Sequence, residues 1–82
     1  MKGYTTMTTT TTALYYINDS ATPVRASSPA AAVAADLRAT GYTARASGTA
    51  HVRVSVAVAE MLGGVVTVAS KALTQPCQVT LG

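Results

Sequence analysis

The sequence predicts an α+β domain in which one helix packs on a small antiparallel sheet, in the approximate order β-β-α-β-β-β. Three observations carry that prediction. Residues 42–58 alternate apolar and polar side chains about Gly48. Residues 28–41 hold a capping serine, a first-turn proline, an alanine-rich body and a closing glycine. Residues 13–17 read Ala-Leu-Tyr-Tyr-Ile, an aromatic and aliphatic run that ends in a turn cluster.

The elements follow in chain order. Residues 1–12 are a low-complexity, threonine-rich stretch with no apolar face, so they are expected to form an N-terminal tail ahead of a single domain over 13–82. Residues 13–17 form the first strand, which places Tyr15 and Tyr16 on opposite faces, and Asn18-Asp19-Ser20 turn the chain. Residues 23–26 form a return strand with Val24 inward and Arg25 outward, and Pro23 at its start suits a sheet edge. Ser28 then caps a helix, Pro29 fits its first position, residues 30–39 are strong helix formers and Gly41 closes it. Ala30, Val33, Ala34 and Leu37 give that helix a narrow apolar stripe, with Asp36 and Arg38 on the wetter side.

In the hairpin, Val52, Val54, Val56 and Val58 share one face, and His51, Arg53, Ser55 and Ala57 share the other. Matching apolar to apolar sets Ala46 against Val52 and Ala44 against Val54. Ser47 then faces His51, and Arg45 faces Arg53. Beyond it the pattern is ambiguous. Residues 60–64 read as a loop before a β-branched strand at 65–69, while Val58, Leu62, Val65 and Ala69 also fall at helical spacing. The double glycine at 63–64 favours the strand. Residues 78–81, after Pro76, read as a last short edge strand.

Composition bounds the rest. Of the 82 residues 49% are hydrophobic, enough for a core, but Trp and Phe are absent and Ala and Val dominate. Burial stabilises by roughly 25 cal/mol per Å², so small side chains give a thin core, and a homodimer or a partner complex would bury the missing area. The net charge is +3 with only 11% of residues charged, a mild basic bias and not a dense Lys/Arg stripe. Four of the six basic residues are arginines, Arg25, Arg38, Arg45 and Arg53, whose guanidiniums suit bidentate contact with carboxylate or phosphate. Cys77 is alone, Lys2 precedes threonines where a secretory signal would need an apolar run, and the stretch 52–69 is broken by charges and glycines. The expectation is a cytoplasmic protein with no membrane span.

Catalytic chemistry has little to draw on. Asp19, Asp36 and Glu60 fall in a turn, on a helix and in a loop, with nothing to bring two of them together. His51 is the only histidine, and it has no nucleophile turn beside it. Cys77 with His51 could form a thiolate pair only if the fold joined them, and one His with one Cys is too few for a closed zinc site. Gly63-Gly64 lacks the lysine and spacing of a phosphate loop. The reading is non-enzymatic, without cofactor or metal. The sharper signal is the opposed arginine pair, since like charges across strands destabilise by roughly 0.2–1 kcal/mol. Arg25, Arg45, His51 and Arg53, with whichever of Tyr15 and Tyr16 points outward, form the candidate partner surface.

In size and style, as a tiny α+β chain with a low-complexity start and no enzymatic motif, the sequence resembles small phage- and mobile-element-encoded proteins, among them anti-CRISPR proteins. The resemblance implies an inhibitor in the bacterial host cytoplasm that occludes a protein surface on a multi-subunit CRISPR effector. This chain is basic, unlike the acidic DNA mimics of that class. A small basic nucleic-acid-binding regulator and a minor virion structural or assembly protein are the alternatives.

Overall fold

The computed structural model describes residues 12–18 and 20–82. The chain runs β1 (Ala13–Ile17), β2 (Val24–Ala26), α1 (Pro29–Thr40), β3 (Arg45–Ala46), β4 (His51–Arg53), α2 (Val56–Met61), β5 (Val65–Ala69) and β6 (Cys77–Leu81). The strands form one sheet in the order β2-β1-β5-β6-β4-β3, and α1 lies across one face of it against all six. The α+β architecture is the one the sequence predicts. Of the tail assigned to residues 1–12, all but Thr12 lies outside the described residues, and Thr12 is exposed.

Local chemistry explains α1. The Ser28 hydroxyl accepts a hydrogen bond from the Ala31 amide at 3.1 Å, satisfying one of the free donors of the first turn. At the other end Gly41 takes φ 107, which a side chain would resist. That turn lets the Gly41 amide reach Arg38 O and the Tyr42 amide reach Leu37 O, the paired bonds of a Schellman cap. Ala30, Ala32, Val33, Ala34 and Leu37 are buried against the sheet, while Asp36 and Arg38 are exposed.

Registers assign the two faces of the sheet. Tyr15, Ala26, Val52, Val66, Val68, Val79 and Leu81 are buried beneath α1. Their strand neighbours Leu14, Arg25, Arg53, Val65, Thr67, Gln78 and Thr80 alternate with them and are exposed on the opposite, open face. The turn after β1 is held by Asn18, at φ 49, whose amide donates to Thr67 O at 2.8 Å and whose Oδ1 accepts from the Thr67 amide at 3.3 Å. Asp19, the middle of the expected turn cluster, lies outside the described residues.

Three sequence expectations are corrected. The hairpin of residues 42–58 narrows to β3 and β4, because Ser55 caps α2 through its hydroxyl, which accepts from the Val58 amide at 3.2 Å. Val56 and Val58 therefore leave the strand, and Val56 is 72% exposed. Residues 60 and 61 belong to α2, not to a loop. Gly63 and Gly64, at φ 84 and 78, stop that helix before β5, so no helix runs on toward Leu73. Lastly, β6 is not an edge strand. It fills the gap between β5 and β4, antiparallel to the first and parallel to the second, which makes the sheet mixed.

The four largest fully buried side chains are all valines, Val33, Val52, Val68 and Val79. Five alanines, Ala26, Ala30, Ala32, Ala34 and Ala44, add little area to the same core. A core of this kind should leave the isolated chain weakly stable. The protein is expected to self-associate at micromolar concentration, or to gain stability when a partner is added. Sedimentation showing a monomer whose thermal midpoint exceeds about 80 °C, near the hyperstable range, would rule that out.

Candidate binding surface

The open sheet face gathers most of the residues that the sequence singles out. Arg45 and Arg53 are directly opposed and both exposed, in the register expected from matching Ala46 with Val52. The Ser47 amide donates to His51 O at 2.7 Å, which closes the hairpin in the same register. His51 shares this face beside Thr80, half-buried, and its Nε2 donates to the Gly82 carbonyl oxygen at 2.6 Å. That bond fixes the ring along β6 and leaves Nδ1 as its remaining polar atom.

Two of the expected members stand elsewhere. Tyr15 is 6% exposed and lies in the core beneath α1, so Tyr16 is the outward tyrosine. Arg25 is on the open face but on β2, the edge strand opposite β3. Five strand spacings of about 4.8 Å put its backbone roughly 24 Å from β3. Arg25 therefore adds no third guanidinium to the pair, and its Nη1 donates to the Thr12 hydroxyl at 3.4 Å. The thiolate pairing is not formed either. Cys77 shares the α1 side of β6 with buried Val79, whereas His51 is on the open side of β4. Among the described residues no group of three or more His, Cys, Asp or Glu side chains lies together, and no helix is long and apolar enough to cross a membrane.

The described acidic side chains are kept off the strands. The described carboxylates, Asp36 and Glu60, are carried by α1 and α2, whereas Arg25, Arg45 and Arg53 project from the sheet. The remaining arginine, Arg38, is used internally, donating from Nη1 to Ala44 O at 2.8 Å.

Beside the arginine pair the chain opens a groove that sequence reasoning missed. Expected pairing of Ala44 with Val54 does not form. Past Arg45 and Arg53 the strand pairing stops and leaves an open groove of about 590 Å³, lined by Tyr42, Thr43, Val54, Ser55 and Val58 together with both arginines. The Tyr42 hydroxyl reaches Met61 Sδ at 3.9 Å and ties the α1–β3 connection to α2. The signal for this opening is Ser55, a capping residue three positions before the amide it binds. No family model matches the chain, and comparison with curated proteins and with solved structures finds none that resembles it.

Proposed function

We propose that the protein is a non-enzymatic binding module that lays the open face of its sheet on an acidic surface of a partner protein and acts by occluding that surface. One observation carries the reading. Every charged side chain that projects from this face in the described strands is an arginine, and the described carboxylates are on the helices. A face built only to be wet is better served by charges of mixed sign, which would offset the repulsion of Arg45 against Arg53. Outward Tyr16, with Leu14 and Val65 at 40% and 44% exposure, adds apolar area of the kind that anchors an interface. The resemblance to anti-CRISPR proteins gives the proposal its concrete form: steric blockade of a multi-subunit effector.

Titration against poly-L-glutamate and against duplex DNA, each at rising salt, tests this. Binding to polyglutamate with a modest salt dependence is the expected result. Tighter binding to DNA, with affinity falling by orders of magnitude between about 50 and about 200 mM salt, would instead make the protein a nucleic-acid-binding regulator.

A further inference from the structure

We infer that the groove between residues 42–45 and 53–58 is a peptide-binding site that takes an extended segment alternating acidic and aliphatic side chains. The inference rests on the sheet-face reading above and names the part of the partner that enters the molecule. Three observations meet here. The lining holds two guanidiniums, Arg45 and Arg53, and no carboxylate, so it is complementary to negative charge. Tyr42, Val54 and Val58 give the same lining an apolar side, which a phosphate or a lone carboxylate would leave unused. Among the described residues Thr43, which a continued hairpin would have paired with Ser55, has no backbone hydrogen-bond partner, the Ser55 carbonyl being taken by the Ala59 amide of α2.

An extended peptide meets all three conditions. Its main chain carries a donor and an acceptor that can pair with Thr43, and its side chains alternate in direction. Successive residues can therefore set a carboxylate on the arginines and an aliphatic group against Val54 and Val58. Partner carboxylates would also relieve the repulsion within the arginine pair. A small organic acid would satisfy the arginines but would leave the apolar side of the groove, Tyr42, Val54 and Val58, uncovered.

The test uses a blocked peptide of alternating glutamate and valine, with an alternating glutamate–serine peptide as the comparison. Thr43→Glu is the first variant, because Thr43 is exposed and a carboxylate there competes for the guanidiniums without touching the core. Val58→Trp, which fills the groove, is the second. The glutamate–valine peptide is expected to bind the wild type more tightly than the serine form. Each variant should weaken it by about tenfold or more, the scale of one hot-spot contact. Equal affinity for the two peptides, or unchanged affinity in Thr43→Glu with its fold intact, would overturn the groove inference. If polyglutamate binding depends on Arg45 and Arg53 while both groove variants behave as wild type, the sheet-face reading stands and only the groove fails. If the peptide binds as expected and polyglutamate does not, the broader reading fails instead.

Discussion

Arg45→Glu combined with Arg53→Glu will leave the protein folded and remove its binding to polyglutamate. Both side chains are exposed on the open face and are paired with each other. The change exchanges one like-charged pair for another, and surface substitutions of this kind usually stay within about 0.5 kcal/mol. The thermal midpoint should move by no more than about 4 °C. Binding responds differently, because each attractive contact with a carboxylate becomes a repulsive one. Close charge pairs at interfaces couple by about 1.5 kcal/mol at the low end. Two such losses weaken binding on the order of a hundredfold. Arg25→Glu, on the far edge of the sheet, is the internal control and should have a distinctly smaller effect. A double variant that binds as tightly as wild type would reduce this face to a solvated surface.

The second large effect concerns β6. Thr80→Pro should lower the thermal midpoint by roughly 10 °C or more, while Thr80→Val should leave it nearly unchanged. The Thr80 amide donates to Ala50 O at 2.9 Å, which ties β6 to the β4 side of the sheet. Proline removes that donor and confines φ to about −65°, away from the extended strand value. An orphaned partner costs about 1–3 kcal/mol, and each kcal/mol moves the midpoint of a domain this size by about 4–8 °C. Thr80 itself is exposed, so side-chain burial contributes little. An edge strand could accept proline with its amide side turned to solvent. Tolerance of Thr80→Pro, read by thermal melting, would therefore contradict the central position of this strand.

What was legible in the chain was local. Ser28, Pro29 and Gly41 specify both ends of α1 through bonds within a few residues of each other. The β3–β4 register follows from matching Ala46 to Val52, and the opposed arginines come with it. The failures have a common physical cause. Val-Ala-Val-Ala at residues 56–59 has the alternation of a strand, yet Ser55, whose hydroxyl accepts from the Val58 amide, caps the start of a helix there. Whether Arg25 joins Arg45 and Arg53 depends on strand order, a matter of contacts across the whole sheet. The groove was hidden for the same reason, since it exists only where the expected hairpin stops.

The position of β6 also constrains how the protein is made. Synthesis delivers β1 to β5 before residues 77–81, yet β5 and β4 have no contact edge in common and meet only through β6. Before β6 pairs, the chain can assemble β2-β1-β5 and β3-β4 only as two separate ribbons under α1, each with an unpaired flank. The last strand must then slide into the slot between them and pair on both sides at once. The sheet is consequently complete only when residues 77–81 pair on both sides. Pairings distant in sequence dominate that final step, which makes it slow relative to closure of the β3–β4 turn. The interval before insertion is when the chain is most open to capture by another copy of itself.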